Sequence, residues 1–154
     1  MAEDNGDDVL LIRMAFQKAG LANPIAIVSN GEEVVHYLKG EGIYSDREKY
    51  PLPSILLLDL KMPRMTGFEV LSWIKQQPEW RSLPVIVLTM SAYGPDVKQA
   101  YQMGANSFLT KPTEFNAFVE TVKQLATFWL RGCTLPDPPP AAPPPFNPSR
   151  DKRA

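Results

Sequence analysis

Three polar side chains in this sequence stand where apolar runs end, and two more stand where a first strand would deliver its last residues. Asp59 follows Leu58, Thr89 follows Leu88 and Lys111 follows Thr110, each at the carboxyl end of a run that reads as a strand, while Glu3 and Asp4 directly precede the first helical pattern. In an open parallel α/β sheet, ligands sit in the crevice outside the carboxyl ends of the strands, so this placement predicts that the five converge. Such a site holds three carboxylates, one hydroxyl and one ammonium. Carboxylates brought together repel one another, and the usual resolution is a divalent cation with hard oxygen ligands, of which Mg²⁺ is the common cellular choice. With charge neutralised by that cation and by Lys111, a carboxylate can attack a phosphoryl group. Asp59 is the candidate nucleophile. Lys111 would pair with one phosphoryl oxygen and the Thr89 hydroxyl would donate to another.

The elements that must position these groups follow from periodicity. Ile55 to Leu58, Val85 to Leu88 and Ser107 to Thr110 are short apolar or β-prone runs, and a weaker run, Ile25 to Val28, precedes Ser29-Asn30-Gly31. Helical spacing relates Val9, Ile12, Phe16 and Ala19, then Phe68, Leu71 and Ile74, then a long stripe from Phe115 to Trp129. Shorter helices are predicted over Glu32 to Lys39, stopping at Gly40, and over Asp96 to Met103, stopping at Gly104. Strands alternating with helices predict βα units around a doubly wound parallel sheet. Residues Glu41 to Pro53 are expected to form the longest loop, exposed and mobile.

At 154 residues, 44% of them apolar, the chain has material for one compact domain. A net charge of −1 offers no basic stripe, so no direct nucleic-acid partner is expected. The single Cys133 cannot close an internal disulfide, which favours a reducing, cytoplasmic compartment, and no apolar stretch approaches membrane-spanning length. Eight of the sixteen prolines fall between Leu135 and Pro148, so residues 132–154 read as a disordered, Pro-rich tail behind a domain spanning 1–131. His36 lies in the second predicted helix, away from the strand ends, and reads as a surface residue. Gly40 and Gly42 lack the Gly-Lys-Ser/Thr continuation of a phosphate-cradling loop.

Glu3-Asp4-Asn5, then Asp59-Leu60-Lys61-Met62-Pro63 with Gly67, then Thr89, then Lys111-Pro112, resemble the ordered motif set of the receiver domains of bacterial two-component response regulators, over Glu3 to about Leu130. The resemblance implies a flavodoxin-like sheet of order 2-1-3-4-5. It implies that Asp59 accepts phosphate from a sensor histidine kinase, that Asp4, Asp59 and the Lys61 carbonyl bind Mg²⁺, and that Glu3 acts through a metal-bound water. Phe108 matches the family's switch aromatic, turning into space that Thr89 vacates when it moves toward the phosphoryl group. The Lys111-Pro112 bond would be cis, as is usual in the family. The only catalysis implied is of the protein's own phosphorylation and dephosphorylation, with output through contact with a downstream protein. The long loop and the Phe128-Trp129-Leu130 ending are similar to the regulators that partner bacterial phytochromes, and these apolar residues are compatible with a homodimer through the last helix.

One feature departs from the family. Only Met1 and Ala2 precede Glu3, so the apolar first strand is largely missing, a start codon set too late being the first explanation the sequence suggests. In the family's order that strand is central, and its loss should expose two ladders and leave Glu3 and Asp4 without an anchor. The competing reading is therefore a pseudo-receiver, an interaction module that keeps the fold but neither binds Mg²⁺ well nor accepts phosphate.

Overall fold

The computed structural model describes residues 1–140. The three clear apolar runs become β1 (Leu56–Leu58), β2 (Val85–Thr89) and β3 (Ser107–Thr110), a parallel sheet in the order β1-β2-β3. Leu57 lies opposite Ile86, and Val87 opposite Phe108. Every residue of β1 and β2 is buried, as a sheet covered on both faces requires.

Among the described residues the covering helices are α1 (Gly6–Lys18), α2 (Gly31–Lys39), α3 (Gly67–Gln76), α4 (Gly94–Gln102) and α5 (Phe115–Leu125), the last continuing as a π-helix over Ala126–Gly132. Side chains alternate across a strand, and the core divides accordingly. Leu57, Ile86 and Leu88 meet Ile12 and Phe16 of α1 and Phe118, Val119 and Val122 of α5. Leu56, Leu58, Val85 and Val87 meet α2 through Val34 and Leu38, α3 through Val70 and Ile74, and α4 through Ala100. Helix starts are set by local side chains: Asn5 accepts from the Asp7 and Asp8 N–H groups, Asn30 from Glu33 N–H, and Thr66 and Glu69 cap each other reciprocally.

The expected first strand is present as a stub that keeps its place in the sheet. Ala2, fully buried, bridges in parallel to Val28 on one side and Leu58 on the other. Ala2 N–H donates to Leu57 O at 2.8 Å, Asp59 N–H to Ala2 O at 3.1 Å, Glu3 N–H to Val28 O at 2.9 Å and Val28 N–H to Met1 O at 3.0 Å. The spatial order is thus Val28, stub, β1, β2, β3, which is the 2-1-3-4-5 order with its first two members one rung deep. Glu3 and Asp4 are anchored after all, because a single small residue suffices to make the rung below them. Ile25 to Val28 does not become a strand; Val28 alone forms a bridge, since further down its neighbour offers only the Met1 amino group, which donates to Ala26 O. Below the stub lies an apolar cleft of about 420 Å³, lined by Met1, Ile25, Val34, Leu38, Ile55 and Leu57 among others.

The stretch Glu41 to Pro53 is largely exposed, as expected, but is tied to α2 at several points. It contains a 3₁₀ turn (Gly42–Ser45), buries Tyr44, and gathers Tyr37, Tyr44 and Tyr50 with ring centroids 5.0–6.1 Å apart. Arg47 donates to Tyr37 O and Leu38 O at 2.8 Å each, satisfying carbonyls of the last turn of α2, where Tyr37 O otherwise has only the Gly40 N–H at 3.2 Å. Arg47→Ala is expected to lower the unfolding free energy by about 1–3 kcal/mol in urea titration, with Arg47→Lys recovering only part, because an ammonium lacks the planar fork. An unchanged urea midpoint would mean that these bonds contribute nothing net.

No peptide bond among the described residues is cis, so Lys111–Pro112 is trans, the form any X–Pro bond prefers by default. No helix among them is long and apolar enough to cross a membrane. From Cys133 to Pro140 the chain has no regular structure, and the rest of the Pro-rich tail lies outside the described residues.

Candidate functional site

Each predicted side chain reaches the carboxyl end of the sheet by its own element. The stub delivers Glu3 and Asp4, the residue after β1 is Asp59, β2 ends on Thr89, and Lys111 leaves β3 with its N–H donating to Thr89 O at 2.8 Å. Carboxylate oxygens of Glu3, Asp4 and Asp59 lie within 4.8 Å of one another. Glu3, Asp59, Thr89 and Lys111 are buried and Asp4 is exposed, so the cluster opens to solvent on the Asp4 side.

The loop from Asp59 to α3 is held tightly. Gly67 N–H donates to Leu60 O at 3.0 Å, and a Cβ at Gly67 would stand 2.3 Å from Asp59 O. Arg64 has φ of 64°, the only positive value among the described non-glycine residues. Lys61, two residues past Asp59, has an exposed side chain.

Lys111 is the electrostatic centre of the group. Its ammonium is bonded by Glu3 and, at 2.7 Å, by Asp8 of α1. Burial pushes the Glu3 carboxyl above its ordinary range, against the pull of Lys111. Burial alone would lower the Lys111 pKa, but the bonds from Asp8 and Glu3 outweigh it and hold the ammonium above the usual lysine value. Both shifts favour bound protons, for Glu3 through burial and for Lys111 through its carboxylate partners. Three hard oxygen donors within reach of one another suit a divalent cation of the Mg²⁺ or Mn²⁺ kind and offer nothing to a soft one, so the donor set fits the implied metal.

The Thr89 hydroxyl accepts from Ser91 N–H at 3.5 Å, and Ser91 in turn donates to Asp96 Oδ2 at 3.1 Å, which ties the end of β2 to α4. Phe108 on β3 is half-buried against the α4 side of the core, and its N–H donates to the Tyr101 hydroxyl at 3.2 Å. Asp8, Ser91, Asp96 and Tyr101 were not singled out by the sequence. Asp8 carried one faint signal, an acidic residue in the first turn of the helix behind Glu3-Asp4. His36 is exposed, 3.8 Å from Glu41 and remote from the site. On the π-helix Phe128 is exposed and meets Trp129 edge-on at 5.3 Å.

Residues 1–123 match the family described as response regulator receiver domain. The response regulator Rcp1 of Synechocystis is 33% identical over 136 residues, 88% of this chain and 90% of its own, and its Mn²⁺-bound crystal structure superposes with a TM-score of 0.78, covering 88% and 96%. The response regulator RPA3017, of red light signalling in R. palustris, gives a TM-score of 0.85 at 35% identity, covering 88% of this chain and 95% of that one. The phosphorylated cyanobacterial phytochrome response regulator RcpA gives 0.80 at 34%, again covering 88% and 95%.

Proposed function

Because this chain belongs to the response regulator receiver family, whose members switch in phosphorelays, we propose that Asp59 is its phosphate acceptor and that a phytochrome-type sensor histidine kinase is the donor. The observation that carries the reading is the convergence of Glu3, Asp4 and Asp59 beside Lys111 and Thr89. A carboxylate oxygen of Asp59 forms the new O–P bond as the P–N bond of the donor phosphohistidine breaks, its electron pair returning to the imidazole. Asp4, Asp59 and the Lys61 carbonyl would hold Mg²⁺, with Glu3 reaching it through a bound water, and the ion would supply positive charge against the phosphoryl oxygens. Lys111 offers its remaining N–H to one of those oxygens, and Thr89 turns its hydroxyl to another.

Turning Thr89 costs its bond to Ser91, so the phosphoryl group is felt at the start of α4. The space left behind Thr89 is adjacent in the sheet to the strand carrying Phe108, whose inward rotation changes the surface that α4, β3 and α5 present. That surface is the output of a cytoplasmic, single-domain regulator, met by a downstream protein or by a second copy through Phe128, Trp129 and Leu130.

Incubation with acetyl phosphate and Mg²⁺ followed by intact mass is expected to add one phosphoryl group, and none in Asp59→Asn. A wild-type protein that stays unmodified points to a pseudo-receiver instead.

A further inference from the structure

We propose that Asp8 is a positioning residue of this site, holding the Lys111 ammonium on the α1 side of the acidic cluster and so keeping it from closing onto Asp59. The proposal rests on the reading of Asp59 and its neighbours as the metal and phosphate site. Lys111 is bonded by Glu3 and Asp8, and among the described residues it makes no ion pair with Asp59. Of its two partners only Asp8 lies outside the metal cluster.

The position of Asp8 is fixed by its own backbone. Asn5 accepts from the N–H groups of both Asp7 and Asp8, which locks the first turn of α1 and with it the direction of the Asp8 side chain. Its carboxylate is partly open, with 24% side-chain exposure against 5% for Lys111, so it meets the ammonium from the solvent rim. An ammonium is a compact point charge on a flexible stem and goes to whatever carboxylates are nearest. With Asp8 in place, one donor is drawn away from the cluster. Without it, the whole attraction of Lys111 falls on Glu3 and Asp59, where the ammonium occupies the place of a competing cation and pairs with the nucleophile.

The test compares Mg²⁺ binding by calorimetry in wild type, Asp8→Asn, Asp8→Glu and Asp7→Asn, each first shown to melt cooperatively. Asp7 sits in the same turn, is exposed, and makes no ion pair among the described residues, so its variant measures the loss of a nearby charge alone. Asp8→Asn is expected to raise the Mg²⁺ Kd roughly five-fold or more, with Asp7→Asn and the longer carboxylate of Asp8→Glu close to wild type. Phosphorylation of Asp8→Asn by acetyl phosphate at saturating Mg²⁺ should also slow, because Lys111 is no longer held ready. Equal weakening by Asp7→Asn and Asp8→Asn, or Mg²⁺ binding unchanged or tightened by Asp8→Asn, overturns the proposal. A wild type that accepts no phosphate while Asp8→Asn alone weakens Mg²⁺ binding would refute the phosphoacceptor reading and leave the role of Asp8 standing.

Discussion

Placing four apolar, β-branched residues ahead of Met1 is expected to raise the melting temperature by roughly 10 °C. The cleft of about 420 Å³ below the stub runs between Ile25 and Ala26 on one side and Ile55 to Leu57 on the other, and its sides already carry the first rungs of a ladder. Leu56 N–H donates away from the cleft, to Pro84 O, so strand alternation turns the Leu57 N–H into it, ready for a further residue. A central parallel strand is covered on both faces, so each added side chain gains roughly 1.5–3 kcal/mol from burial. Ordering it costs about 1–2 kcal/mol of backbone entropy and a fraction of that for a β-branched side chain. The surplus over four residues is a few kcal/mol, and at roughly 2–4 °C per kcal/mol for a chain of this size it gives the stated shift.

The same extension should also change the pH dependence of stability. The Met1 amino group donates to Ala26 O at 2.7 Å, and burial, helped by Arg13, lowers its pKa from 8.0 to about 5. Between those values the unfolded chain binds a proton there that the native chain does not. Stability therefore rises with pH from about 5 to about 8 and is flat beyond, as far as this group contributes. Moving the terminus out of the cleft removes that rise. A Gly-Ser extension of equal length moves the amine without filling the cleft and separates the two effects. A melting temperature unchanged by the apolar extension would show that the cleft does not accept a strand.

How far the sequence reveals this molecule depends on how local each cause is. Asp59, Thr89 and Lys111 could be read because each ends an apolar run, and strand ends in a parallel sheet share one edge. The helical stripes could be read because burial imposes a 3.6-residue period within one segment. The stub could not, because no run of residues signals it: Ala2 is a single position whose burial depends on Val28 and Leu58. Asp8 gave little more than its place in the first turn of a helix, since the partner that gives it a role is 103 residues away. The polar composition of Glu41 to Pro53 suggested an open loop, yet Arg47 spends its charge on main-chain carbonyls and three tyrosines bury one another. Composition reports what a segment would do alone; the contacts that fix this one come from α2.

Gly67→Ala is expected to cost roughly 3 kcal/mol of stability and to disable the site as well. The β-carbon would stand 2.3 Å from Asp59 O and 2.7 Å from Leu60 Cα, both backbone atoms that no rotamer change can move aside. Relief requires either withdrawing the first turn of α3, which breaks the Gly67 N–H to Leu60 O bond and strains the Thr66–Glu69 cap, or displacing the peptide after Asp59. The second route shifts the Asp59 carboxylate relative to Glu3 and Asp4, and a shift on the order of 1 Å is enough to lower reactivity about a hundred-fold. Gly31→Ala supplies the contrast. Its β-carbon would meet Met65 O at 2.3 Å, a similar overlap in the same loop but six residues further along from Asp59. Both variants should melt early, but at a temperature where both are still folded only Gly67→Ala should lose Mg²⁺ affinity and acetyl phosphate reactivity together. Equal loss in the two would mean that the loop moves as one body. Retention of both activities in a stable Gly67→Ala would mean that the close approach of α3 to Asp59 does nothing to place the nucleophile.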